Sequence, residues 1–276
     1  MKLIVCGAAG MLGQDVVRAA ELADHEVLAL DRRALDVTDP DAIAPLFERE
    51  RPDSVVNCAA YTDVDGAERE PDTALRVNAG GARNVAGAAA RVGASVLYVS
   101  TDYVFDGTKG EAYVESDEPR PLGSYGASKL AGEVETAAVN PNHQVVRTSW
   151  LFGTAGRNFV ETMIELGSSR REVTVVCDQV GSPTYTAHLA EAIVRLSAGE
   201  SYGLHHTAAA GECSWYDFAV AIFNRAGLAC DVLSTTTAEL GRPAPRPEHS
   251  VLSTERGDGV HLPDWRTGLD DYITER

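Results

Sequence analysis

The feature that most constrains this chain is its opening, where the apolar run KLIVC (residues 2–6) passes directly into GAAGMLG (7–13) and then into an amphipathic stretch reaching residue 23. An apolar run without polar alternation reads as a strand buried on both faces. Glycines at 7, 10 and 13 allow a tight turn from that strand into a helix. Such a turn lets the backbone and the first helical amides approach a pyrophosphate. The spacing is G-x-x-G-x-x-G rather than the G-x-G-x-x-G of the usual fingerprint, so the strand–turn–helix context carries the inference. Gly7, Gly10 and Gly13 are therefore expected at a dinucleotide cofactor.

The alternation continues. HEVLAL precedes a helical stretch at 40–50, SVVNCAA precedes one at 66–92, SVLYVS follows, and HQVVRTSW (143–150) and EVTVVCD (172–178) are two further strands. Strands alternating with helices predict an α/β chain with a Rossmann-like, doubly wound parallel sheet. Pro71 should separate a short helical turn from the long Ala- and Gly-rich helix behind it. Beyond about residue 200 come GLHHTAA, a helix at SWYDFAVAIFNRAG, the loop GRPAPRP and a last helix near DWRTGLDDYI. The expected organisation is an NAD(P)-binding Rossmann domain at 1–150, rejoined by 171–199, and a smaller substrate-binding lobe from 151–170 and 200–276.

A formal net charge of −17 on 276 residues, with no block of like charge, argues against nucleic acid or an anionic membrane as partner. No apolar run reaches the ~18 residues of a membrane helix, and the N-terminal strand leaves no room for a leader. The expectation is a soluble cytoplasmic protein. Of the five cysteines (Cys6, Cys58, Cys177, Cys213, Cys230), the first three lie in apolar strand-like runs and read as small buried hydrophobes in a reducing compartment. The histidines lack zinc spacing, and adjacent His205 and His206 would point to opposite faces of a strand. No metal is expected.

The chemistry gathers after the strands. LALDRR places Asp31 where an acid would meet an adenosine ribose, with Arg32 and Arg33 next to it. The acid favours NAD and the arginines favour NADP, so both stay open. VSTDYVFDG (99–107) sets Thr101 at the carboxyl end of a strand, where open α/β sheets bind ligands. In SYGASK (124–129), Tyr125 and Lys129 are four residues apart and share one helix face. A carbonyl that accepts hydride needs a proton donor. A tyrosine can serve if a nearby Lys⁺ lowers its pKa, while the ammonium also binds the nicotinamide ribose and a threonine hydroxyl orients the substrate oxygen.

Together these segments resemble the extended short-chain dehydrogenases/reductases. The resemblance runs nearly end to end through GAAGMLG, LDVTD, VVNCAAYTDVDGAE, VNAGGARNVA, VSTDYVFDG, YGASK, RTSWLFG, NFV, DQVGSPT and RPEHSVL. It implies that the family's catalytic threonine, tyrosine and lysine are Thr101, Tyr125 and Lys129. It also implies cofactor contacts at Gly10, Met11, Leu12 and Gly13 on the pyrophosphate, Asp36 and Val37 near the adenine, and Ala59, Ala60 and Tyr61 on the third strand. Substrate contacts carried over are Thr101, Asp102 and Trp150, the last against the sugar.

The implied activity is hydride transfer from NADPH, or NADH, to the 4-keto group of dTDP-4-dehydro-6-deoxy-L-mannose, giving dTDP-L-rhamnose. Reduction or epimerisation of another nucleotide sugar is the alternative, and a non-catalytic, cofactor-binding regulatory subunit of the methionine adenosyltransferase type is a third reading. The intact trio favours an enzyme. Two departures from the family matter: Met11 stands where relatives often have glutamine, and of the acids that hold a divalent cation at a dimer interface in some members only Asp15 has a counterpart. A homodimer is compatible with the resemblance. In so acidic a chain the substrate diphosphate needs local positive charge, expected from Arg157, Arg242 and Arg246.

Overall fold

In a computed structural model describing residues 1–276, KLIVC forms β1 (Lys2–Cys6), whose Leu3 and Val5 face one layer of core and whose Ile4 and Cys6 face the other. This period-two split covers both sides of the sheet with helices. The first half continues with α1 (Met11–Leu22), β2 (Glu26–Leu30), α2 (Pro40–Glu50), β3 (Ser54–Asn57), α3 (Val64–Arg69), α4 (Pro71–Leu75), α5 (Gly81–Arg91) and β4 (Ser95–Thr101). Helix α6 (Ser124–Val139), β5 (His143–Thr148), β6 (Leu151–Phe152), α7 (Phe159–Ser169), β7 (Glu172–Val176), β8 (Val180–Gly181), β9 (Thr184–Tyr185) and α8 (Thr186–Ser197) follow. The chain ends with β10 (Gly203–His206), β11 (Cys213–Ser214), α9 (Trp215–Ala226), β12 (Asp231–Thr235), α10 (Thr237–Leu240) and α11 (Trp265–Glu275).

Six parallel strands stand in the order β10-β5-β4-β3-β1-β2, the Rossmann-like doubly wound arrangement that the alternation predicts. Strand order reverses between β1 and β3, and ligands of such sheets bind beyond the carboxyl ends at that switch point. One core layer packs Val16 and Ala20 of α1 and Leu189 and Ile193 of α8 on the sheet. The opposite layer packs Ile43 and Phe47 of α2 and Val85 and Ala89 of α5. A separate aromatic core of Phe152, Phe218, Phe223, Trp265 and Tyr272 builds the smaller lobe.

Several expectations are corrected. The strand at 172–176 does not rejoin the central sheet: β7 pairs with β12, and its Val173 and Val175 enter the lobe core. Conversely, β10 at 203–206, placed with the lobe by its position in the chain, is the edge strand of the central sheet beside β5. The helical region expected at 66–92 does break at Pro71, which opens α4, but the long helix expected behind it is α4, a π-helical segment at Arg76–Gly80 and α5. All five cysteines are free, but Cys177 is exposed rather than buried, because it lies just past the end of β7. His205 and His206 are both buried and bind different neighbours: His205 Nε2 lies 2.8 Å from the Ser201 carbonyl, and His206 Nδ1 lies 3.0 Å from the Tyr113 carbonyl. No helix is long and apolar enough to cross a membrane.

Candidate active site

One cavity of about 920 Å³ opens along the carboxyl edge of the sheet. Beneath it, Gly7 follows β1 with φ 75°, and a Cβ there would sit 2.7 Å from the Ala59 backbone nitrogen. A Cβ on Gly13 would sit 2.3 Å from the Gly7 carbonyl oxygen. These positions exclude any side chain. Gly10 caps α1 without a side-chain bond, so the first-turn amides have no intrahelical acceptor. Met11, Leu12 and Gly13 line the cavity with Gly7 and Gly10, and Met11 Cγ reaches the 153–156 loop opposite, 3.1 Å from where a Gly153 Cβ would lie.

The structure separates Asp31 from Arg32. Asp31 Oδ1 accepts the backbone N–H groups of Arg33 at 3.0 Å and Ala34 at 2.8 Å, which holds the turn after β2, and the residue is absent from the cavity wall. One oxygen of the carboxylate thus shapes the turn. Arg32 lines the cavity, as do Asp36 and Val37. Asp36 accepts the Thr38 N–H at 2.9 Å and hydroxyl at 2.8 Å, and these bonds hold its carboxyl below the usual range.

Ala59, Ala60 and Tyr61 line the cavity beyond β3. Their loop is held by Asn78, a buried residue of the π-helical segment that sequence reasoning missed. Asn78 Oδ1 accepts the Tyr61 N–H at 2.8 Å, and its Nδ2 donates to the Tyr61 carbonyl at 3.1 Å and to Ser128 Oγ at 2.9 Å. Ser128 in turn donates to the Tyr125 carbonyl at 2.7 Å, so one side chain ties the cofactor-side loop to α6.

Thr101, Tyr125 and Lys129 converge on this cavity from the end of β4 and the start of α6. Burial pushes the Tyr125 phenol well above its ordinary range and the Asp102 carboxylate adds to the rise, while a hydrogen bond with Thr101 opposes it. Lys129, 3% exposed, donates to the Val99 carbonyl at 2.6 Å and lies 4.1 Å over the Tyr98 ring. Burial pushes its pKa down to about 7, against the raising influence of Glu133. The expectation that Lys129 lowers the tyrosine pKa is therefore not what the geometry gives: the ammonium points to the strand, and burial governs the phenol.

Asp102 is also in the wall, but both its oxygens are engaged. Oδ1 accepts from Thr101 Oγ1 at 3.0 Å and Oδ2 accepts from Ser250 Oγ at 2.6 Å. Trp150 adopts φ 48°, and its indole stacks on that of Trp215 with centroids 3.6 Å apart and planes 5° apart. A Cβ on Gly181 would meet the Trp150 ring at 2.5 Å. One face of the expected sugar platform is thus covered by Trp215, from α9, which also lines the cavity. Nothing local in the sequence marks Trp215, because the stack forms only when the lobe closes on the strand ends. Arg157 lines the cavity, whereas Arg242 and Arg246 bind Asp65 at 3.2 and 3.0 Å and stay out of its wall. No group of three or more His, Cys, Asp or Glu is placed to hold a metal, and Asp15 pairs with Arg18 at 2.7 Å. The glycine cradle, the uncapped helix start and Arg32 fit a phosphorylated dinucleotide.

Comparison with known proteins agrees with this geometry. Residues 1–276 match the family model described as RmlD substrate binding domain. The chain is 42% identical over 277 residues to the spore coat polysaccharide biosynthesis protein SpsK of Bacillus subtilis, covering 100% of this chain and 98% of that one. It is 42% identical over 278 residues to the dTDP-4-dehydrorhamnose reductase of Mycobacterium tuberculosis H37Rv, covering 97% and 91%. A solved dTDP-4-dehydrorhamnose reductase of Bacillus anthracis in complex with NADP superposes with a TM-score of 0.97 at 41% identity, covering 100% of this chain and 99% of that one. A match along the whole chain at these identities means that the protein belongs to the RmlD substrate binding domain family.

Proposed function

We propose that this protein reduces the 4-keto group of dTDP-4-dehydro-6-deoxy-L-mannose to give dTDP-L-rhamnose, with NADPH as the preferred cofactor. The observation that carries this reading is the convergence of Thr101, Tyr125 and Lys129 on the cavity that the glycine turn and Arg32 also line. The activities named for its relatives support the same choice of substrate and cofactor.

Bound in this cavity, NADPH supplies the hydride. Amides of residues 10–13 hold the pyrophosphate, Arg32 takes the ribose 2′-phosphate, and Asp36, Val37 and the Ala59–Tyr61 loop enclose the adenosine side. Lys129 binds the nicotinamide ribose. Tyr125 remains protonated through the neutral range because it is buried, so it is a loaded donor for the substrate oxygen as negative charge develops there. Thr101 donates a second hydrogen bond to that oxygen. The Trp150–Trp215 pair gives the deoxysugar an apolar wall and Arg157 meets the diphosphate.

NADPH oxidation measured with a panel of dTDP-, GDP- and UDP-linked keto sugars tests this assignment; turnover confined to the dTDP-linked 4-keto-6-deoxy sugar is the expected result. Tyr125→Phe should keep cofactor affinity and lower kcat by about 10²–10⁴. Wild-type turnover in that variant would remove tyrosine from the role of acid.

A further inference from the structure

Asp102 is an acid in the cavity wall with no cation beside it. It is 2% exposed, and its side-chain oxygens accept from hydroxyls, Thr101 Oγ1 at 3.0 Å and Ser250 Oγ at 2.6 Å. An unpaired carboxylate removed from water tends to take up a proton instead. Burial here pushes its pKa up to about 6, against the lowering influence of Ser250, Thr101 and the backbone N–H groups of Asp102 and Tyr103. Surrounding groups do not supply the missing charge. Tyr103 and Tyr125 are phenols, and Lys129 is turned to the Val99 carbonyl. Arg246, beside Tyr103, is answered by Asp65 at 3.0 Å, and His249, next to Ser250, pairs with Glu212 at 3.4 Å.

Counting donors around Thr101 gives two states on one set of heavy-atom positions. A hydroxyl has one proton and two lone pairs. One lone pair of Thr101 already accepts the Tyr103 N–H at 3.2 Å. When Asp102 is ionised, the Thr101 proton is given to Oδ1. The Thr101 hydroxyl, which should face the substrate oxygen beside Tyr125, is then bonded elsewhere. When Asp102 carries a proton on Oδ1, the same 3.0 Å contact runs in reverse and the acid donates to Thr101. Both Thr101 lone pairs are then filled, so its own proton turns to the cavity. Ser250 donates to Oδ2 in either state.

We propose that Asp102, seated by Ser250, is a positioning residue that sets the direction of the Thr101 hydroxyl, and that its protonated form is the working form for reduction. This rests on the reductase reading above. Asp102 loses no proton during turnover: the proton delivered to the substrate oxygen leaves Tyr125, and the acid only orients Thr101. A neutral acid also avoids placing a negative charge beside the oxygen on which negative charge develops.

The test compares pH profiles of kcat for the full-length wild type, Asp102→Asn and Ser250→Ala, with NADPH and the keto-sugar nucleotide. Asparagine offers an N–H to Thr101 and a carbonyl to Ser250 at every pH, the pattern of the protonated acid. Wild-type kcat should fall as pH rises through about 6, and the Asp102→Asn profile should lack that fall, so the ratio of variant to wild type climbs with pH. A decline from Lys129, near pH 7, is common to all three proteins and cancels in the ratio. Ser250→Ala removes a donor that stabilises the carboxylate, so it should move the wild-type fall to higher pH. A ratio that does not change with pH, or an asparagine variant at least about tenfold below wild type throughout, overturns the proposal. If the wild type reduces no keto-sugar nucleotide, the reductase reading fails separately. Infrared difference spectra of ¹³C-Asp-labelled wild type against Asp102→Asn then read the acid directly: a protonated carboxyl band lost through about pH 6 supports the proposal, and a carboxylate ionised at every pH overturns it.

Discussion

Asp31 and Arg32 are adjacent residues of opposite charge that the backbone sets to different uses. Asp31 gives one carboxylate oxygen to two N–H groups of the turn after β2, while Arg32 lines the cavity. Arg32→Ala should therefore raise the KM for NADPH by about tenfold or more, the scale of one lost charge-assisted contact to phosphate, and leave that for NADH nearly unchanged. Steady-state kinetics with both cofactors checks this; equal effects would place the 2′-phosphate away from Arg32. The pair also marks what a sequence can disclose at this scale. Tyr125 and Lys129 could be read because one helix-face spacing joins them. The competing demands on Asp31 could not, since a turn's own amides claim its carboxylate only once the backbone is bent. Asn78, Trp215 and Ser250 lie beyond local spacing altogether, because each meets its partner across the tertiary fold.

Helix α6 delivers two of the three side chains proposed to react, and a buried ion pair pins it to the sheet. Glu133, one turn beyond Lys129, receives Arg147 of β5 in two bonds of 2.9 and 2.6 Å, and Ser100 of β4 donates to it at 2.5 Å. Removing one partner leaves a charge uncompensated in the core, so Arg147→Met should cost about 3–5 kcal/mol. Paired replacement as Arg147→Met with Glu133→Leu should recover most of that loss, as seen in urea midpoints at unchanged m. A single variant as stable as wild type would show that water already reaches the pair. The elements themselves were mostly legible, since β1, β3, β4 and β5 are apolar runs bounded by turn residues. Pairing was less so: an apolar run says that a strand is buried but not against what, and β7 found β12 rather than the central sheet. Strand β12 is half-exposed, with burial too uneven to announce a strand.

At the scale of the whole molecule, the smaller lobe sits over the strand ends and is fastened to the Rossmann sheet's periphery at Asp65 of α3. That carboxylate accepts from Arg242 at 3.2 Å, from Arg246 at 3.0 Å and from the Ala244 N–H at 3.2 Å. The three arginines expected at the diphosphate thus divide by task, and kinetics should divide them likewise. Arg157→Ala should raise the KM for the sugar nucleotide by about tenfold or more without changing that for NADPH. Arg246→Ala, which leaves Asp65 part-buried with only an exposed partner, should lower Tm by about 2–4 °C, whereas exposed Arg242→Ala should change neither. A rise in substrate KM with Arg242→Ala would return the diphosphate to that loop. The strand order carries a further consequence, for the life of the nascent chain. Because β10 closes the sheet beside β5 only after the chain has passed through the lobe, a polypeptide halted before residue 203 presents β5 as a bare parallel edge. The lobe core in turn needs residues as far apart as Phe152 and Tyr272. The lobe core is therefore the last part to close, after the final strand of the sheet is in place, and its apolar residues from Phe152 onward are exposed to aggregation until then.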